Sequence, residues 1–153
     1  MIMGMIDISG KEKIPRKARA VGEILLDEKS IKAIQNEDIK KGDVFQVAEI
    51  SAIQAVKRTP ESLPHCHPIP IESVDVKFDL TDDTLKVECE VKAVYKTGVE
   101  MEALSGVNAA LLTVWDMVKY LEKDEDGQYP DTAIKNISVV EKKKVYEDES
   151  SRA

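Results

Sequence analysis

In KARAVGEILL, residues 17–26, Ala18, Ala20, Gly22, Ile24 and Leu26 fall on alternate positions. That is the period of a strand with one buried face, with a helix as the competing reading. Ile31 and Ile34 then fit one short helix, and KKGD breaks the chain before VFQVAEISAIQAVKR. There Val44, Val47, Ala48, Ile50, Ile53 and Ala55 spread around a helix instead of alternating, which predicts a well-buried helix ending near Lys57 and Arg58. Pro60 and Pro64 predict extended chain beyond it. Val74, Val76, Phe78 and Leu80 alternate with polar residues, TDD turns, and Leu85, Val87, Cys89, Val91 and Ala93 alternate again, an antiparallel hairpin with Cys89 in the core. TGVE opens the longest helix, with Thr97 and Glu100 in capping-box spacing. Its core stripe is Val99, Ala103, Leu104, Val107, Ala110, Leu111, Val114, Val118 and Leu121, and its end lies near DEDGQYP. Ile134, Ile137 and Val139 suggest a last strand, after which EKKKVYEDESSRA is expected to fray.

The order strand, helix, strand, strand, helix, strand, with one small helix added in the first crossover, is that of an α+β, ferredoxin-like α/β plait: an antiparallel sheet with helices on one face. Many activities use that fold, so function has to come from particular residues.

Composition narrows the choice. A chain of 153 residues, 42% hydrophobic but only 5% aromatic, is expected to form a single domain over residues 1–153 with an aliphatic core. A net charge of -7 and a pI near 5.0 argue against nucleic acid or an anionic membrane as partner, since both reward surplus Lys and Arg. An anionic ligand would then need a local cationic cluster. Two cysteines and a start, MIMGMIDISG, that turns polar too soon for a spanning segment point to a reduced, soluble, cytoplasmic protein.

On the longest helix Glu102, Ser105, Asn108, Asp116 and Lys119 fall away from the core stripe. Asp116 and Lys119 are either a surface ion pair one turn apart or, if that face is covered, an acid/base pair with the lysine pKa lowered. Arg16, Arg19, Lys41, Lys57, Arg58, Lys119, Lys123 and the run Lys142 to Lys144 read singly as helix caps or solvated charges; gathered in one pocket, they would bind a polyphosphate. In ESLPHCHPIPIESV, extended chain would point His65 and His67 one way and Cys66 the other, and no further Cys or His lies nearby to complete a zinc site. The segment therefore reads as a stiff polar corner, or as an imidazole positioned at a pocket wall, and no metal is expected.

Together KGDVF, IQAVKRT, LPHCHPI, KTGVEMEAL and WDMVKYLEKD resemble molybdenum cofactor biosynthesis protein C, the cyclic pyranopterin monophosphate synthase family, from about Ile6 to Val140. The resemblance implies an enzyme that converts the 3′,8-cyclised 7,8-dihydro form of GTP to cyclic pyranopterin monophosphate and releases diphosphate, with no integral metal or organic cofactor. It implies substrate binding by His65, Cys66, His67, Met101 and Glu102, and acid/base work by Asp116 and Lys119. Arg16, Lys41, Lys57, Glu100 and a C-terminal lysine would complete the pocket. The Ser-Gly-Gly that often follows that lysine is missing from VVEKKKVYEDES, so Lys142 aligns best and Lys143 or Lys144 could replace it. The family's oligomers are hexamers built from dimers. Glu102 and Asp116 lie 14 positions apart, roughly 21 Å along a helix, which favours pockets at a dimer interface, each taking Glu102 from one chain and Asp116 with Lys119 from the other. Two other classes stay open. One is a non-catalytic ferredoxin-like metabolite-binding module; the other, an RNA-binding domain, would need more exposed aromatics on its middle strands than Phe78 and Tyr95.

Overall fold

The structure, a computed structural model, describes residue 1 and residues 3–145. Its elements are β1 (Ile14–Leu25), α1 (Glu28–Gln35), α2 (Val44–Lys57), α3 (Thr59–Ser62), β2 (Ile71–Leu80), β3 (Thr84–Tyr95), α4 (Glu100–Glu122) and β4 (Ala133–Lys144). The strands form one antiparallel sheet in the order β2-β3-β1-β4, and the fold is the α+β ferredoxin-like plait. KARAVGEILL is a strand, and its alternation buries Ala18, Ala20 and Ile24 completely, as β3 buries Leu85, Cys89 and Val91.

Small residues decide how closely α4 approaches the sheet. A Cβ on Gly22 would stand 2.7 Å from Val107 Cγ1, and one on Gly106 would stand 2.6 Å from Cys89 Sγ. Both are far inside van der Waals contact, so only glycine lets the helix lie this near β1 and β3. The α2 helix, capped by Asp43 accepting from the Gln46 N–H, runs antiparallel to α4. The Thr113 hydroxyl donates to Ser51 Oγ at 2.8 Å, and Val56 lies beside Gly106.

Several sequence expectations are corrected. Val47 and Ile50 are exposed, Ile50 by 56%; α2 buries Val44, Ala48, Ala52 and Val56 instead. Its apolar residues occupy both faces, so periodicity alone could not choose the inner one. Pro60 lies in the one-turn α3, second after Thr59, instead of in extended chain, since its fixed φ suits a first helical turn. The capping box does not form: α4 begins at Glu100 with Val99 as its N-cap and no side-chain cap bond. Glu102 is buried, not on the open side. Residues 141–144 continue β4, with Glu141 meeting Lys17 at 3.2 Å, and the Val145 N–H still donates to the Pro15 carbonyl at 2.8 Å; the rest of the tail expected to fray, 146–153, lies outside the described residues. No helix among the described residues is long and apolar enough to cross a membrane.

Candidate active site

The residues singled out in the sequence gather in two groups, one at each end of α4. At the N-terminal end, His65, Cys66 and His67 follow α3 in a turn closed by the Cys66 N–H donating to the Leu63 carbonyl at 2.9 Å. They face Met101 and Glu102 across a cavity of about 400 Å³ that Thr97, Gly98 and Glu100 also line. Burial, and then the negative charges of Glu102 and Glu100, push the Cys66 thiol up. Glu102 is 3% exposed, and its burial raises the carboxyl to about 7. It can therefore exchange a proton near neutral pH.

Glu100 turns toward β4, where Lys142 Nζ meets its Oε1 at 3.1 Å. Gly98 lies directly against the pair: a Cβ there would press on the Glu100 carboxylate and stand 2.9 Å from Lys142 Cε, so both side-chain ends would have to shift. Arg16 is buried on β1, with Nε unpartnered and one terminal nitrogen donating to the Lys96 carbonyl at 3.5 Å. Arg16, Lys17 and Gly98 line a small depression with Lys142, Lys143 and Lys144, a local concentration of cations in an acidic chain. Lys57, in the last turn of α2, follows Val56, which lies beside Gly106, but it lines neither of these two hollows.

At the C-terminal end, Asp116 accepts from Lys119 Nζ at 3.0 Å and from Lys41 Nζ at 3.1 Å. The Lys41 ammonium also donates to the Asp116 carbonyl at 3.0 Å. These bonds hold the Asp116 carboxyl below the ordinary carboxylate range and raise the Lys119 ammonium above the usual lysine value. A lowered lysine pKa is expected only for a covered face; in the single chain this face is open, and Lys119, exposed and paired, is shifted upward. Lys41 sits on a turn with Gly42 at φ 110°, a conformation open to glycine. The Lys40 N–H donates to the Tyr120 hydroxyl at 3.1 Å, pinning that turn to α4.

These two groups lie on the same chain but at opposite ends of one continuous 23-residue helix. Over residues 5–144 the sequence matches the MoaC family. The chain belongs to that family. A relative from Pyrococcus horikoshii, named "Probable cyclic pyranopterin monophosphate synthase", is 56% identical over 142 residues, which cover 93% of this chain and 89% of the relative. One from Sulfurisphaera tokodaii bears the same name and is 52% identical over 144 residues, covering 94% and 95%. A third, from Methanothermobacter thermautotrophicus, is named "Probable cyclic pyranopterin monophosphate synthase accessory protein" and is 54% identical over 141 residues, covering 92% and 89%.

In this MoaC chain three features play parts that sequence reasoning did not assign, two of them at residues inside the quoted motifs. Gly98 leaves room beside the Glu100–Lys142 pair, Tyr120 holds the Lys41 turn, and an N-terminal segment containing Gly4, Ile6, Ile8 and Lys11 lines the larger of the two hollows at the N-terminal end of α4. The glycine was visible as a letter in KTGVE, but nothing local said that a strand lysine would reach it. Among the described residues, no three or more His, Cys, Asp or Glu side chains converge as a metal site would need.

Proposed function

We propose that this chain is a cyclic pyranopterin monophosphate synthase of molybdenum cofactor biosynthesis, a single synthase domain acting on the 3′,8-cyclised dihydro form of GTP. The observation that carries the reading is the pairing of chemistries at the two ends of α4. A buried carboxyl poised at about 7 faces a cavity sized for a fused heterocycle, and an exposed Asp116 sits between two ammonium groups. Glu102 suits the N–H donors of a guanine-derived ring. Arg16, Lys142, Lys57 and Lys41 suit the phosphates. Lys119, held protonated, suits a general acid and a counter-charge, while Asp116 fixes the ammonium groups and can accept a proton. In the closing step a ribose-derived hydroxyl oxygen attacks the α-phosphorus, its proton passes to a base, and the bond to the β-phosphate breaks to release diphosphate.

The 14 positions between Glu102 and Asp116 span roughly 21 Å of helix, too far for both to serve one reacting centre from one chain. The site we propose therefore lies between two copies, Glu102 with the His65 corner coming from one and Asp116 with Lys119 and Lys41 from the other. A hexamer as a trimer of such dimers follows the resemblance. Val47 and Ile50 on α2 and Leu112 on α4, apolar yet exposed on helices packed together, support burial against another copy.

Incubation with the cyclised dihydro-GTP, followed by measurement of diphosphate and pterin product, tests the reading; binding without product would refute it. That outcome belongs to the second reading, a non-catalytic metabolite-binding module, which the word "accessory" in one relative's name favours. A module of that kind keeps its affinity when Asp116 and Lys119 are replaced.

A further inference from the structure

Residues 3–8 cross the His65–His67 corner without entering a helix or strand, and a turn at residues 9–11 leads on toward β1. Two side chains from the body of the protein hold this strap by its carbonyls. His67 Nε2 lies 2.8 Å from the Ile6 oxygen, and Lys96 Nζ donates to the Ser9 oxygen at 3.4 Å. The strap keeps its own shape locally: the Asp7 carboxylate accepts from the Ser9 N–H at 2.9 Å, and the Lys11 N–H donates to the Ile8 carbonyl at 3.0 Å. Gly4, Ile6, Ile8 and Lys11 thereby become one wall of the 400 Å³ cavity whose opposite wall carries Met101 and Glu102.

Burial does little to hold that wall shut. Ile6 is 79% exposed and Met3 86%. Both latching hydrogen bonds are exposed to water, and such a bond returns no more than the entropy of fixing one backbone residue. A segment held so weakly belongs to the least stable part of a fold and opens on its own. A carbonyl oxygen only accepts, so Nε2 of His67 carries its proton while the latch is closed. Opening releases that N–H, at the cavity wall, to an acceptor on a ligand.

We propose that residues 4–11 are a movable wall of the substrate cavity, which swings clear to admit the ligand and closes over it. Closed, it adds Ile6 and Ile8 as apolar contacts for a flat heterocycle and Lys11 as a further cation for its phosphates. The identity of the ligand rests on the function proposed above; the movement of the wall does not.

Cys66 lines the cavity and reports on the wall directly, because the other cysteine, Cys89, is fully buried with its thiol pushed up to about 12. Iodoacetamide modification of the full chain, located by mass spectrometry, is followed in the wild type, in Lys96→Met, which removes one latch, and in Lys96→Met with Asp7→Ala, which also loosens the strap. Labelling of Cys66 alone should speed up about threefold to tenfold, most in the double variant. Unchanged rates in both variants would overturn the movable wall, and so would equal gains at Cys66 and Cys89, which report general unfolding. The cyclised dihydro-GTP should slow Cys66 labelling in the wild type, with roughly tenfold more of it needed in Lys11→Ala. Absence of that protection, with the latch effects intact, would reject the ligand assignment and leave the wall standing.

Discussion

Lys142 Nζ stands 3.1 Å from Glu100 Oε1, tying the last strand to the first turn of α4 and leaving the other Glu100 oxygen buried without a partner. A cation so placed is half-satisfied and open to a second anion. Replacing it should weaken substrate binding more than it slows chemistry. A charge-assisted hydrogen bond contributes about 1.5–3 kcal/mol, so Lys142→Ala is expected to raise KM about tenfold to a hundredfold. Lys143→Ala, one residue on and without this partner, should change KM by less than about threefold. Steady-state diphosphate release by the two variants, measured side by side, separates them.

Asp116→Asn and Lys119→Ala should each lower kcat by at least about a hundredfold, the lower end for loss of a general acid or base. Both side chains are largely exposed and off the core, so thermal unfolding should move little. Circular dichroism alongside the product assay checks both halves; near-normal turnover by either variant would remove its assigned role.

Burial raises the Glu102 carboxyl to about 7, so the folded chain binds this proton more tightly than the unfolded chain does. The stability linked to it is complete below the ordinary carboxylate range and is lost as pH rises through about 7. Glu102→Gln has no such loss. It should match the wild type near pH 4 and exceed it at about pH 8, by something on the order of 3 kcal/mol. Urea midpoints across that range provide the comparison, and a wild-type profile parallel to that of the variant would show that Glu102 is not the group responsible.

Mixing inactive Glu102→Ala and Lys119→Ala chains tests whether the site is shared. Where pockets form between copies, a mixed dimer has one doubly altered site and one intact site, so random pairing restores about a quarter of wild-type activity. Where each pocket is built within one chain, nothing returns. Mass spectrometry of the mixture verifies exchange, and verified exchange without recovered activity would place both residues in one subunit.

Element order and sheet face were legible because the signals were local. The alternation in Leu85, Val87, Cys89 and Val91 needs no partner to be read, and β3 buries all four. What stayed hidden depended on distant chain. Glu102 lies off the apolar stripe of α4, yet it is buried, at a cavity whose other walls, the His65 corner and the strap, come from far away in the sequence. Thr97 and Glu100 had capping spacing, but Glu100 answers to Lys142, 42 residues later. Ile50 looked like core because nothing in α2 itself distinguishes its two apolar sides. For the site, the letters brought both ends of α4 into view, while the Lys41–Asp116 contact spans 75 positions and required the fold.

The glycine contacts at Gly22 and Gly106 press α4 so closely onto the sheet that it cannot slide along its axis. The helix thus acts as a ruler whose graduations are residues. One residue inserted between Gly106 and Asp116 would push Asp116 about 1.5 Å outward and swing it by about 100°, away from Lys41. Along its exposed side the fold of this ruler tolerates a change of letter, whereas the site does not tolerate a change of length.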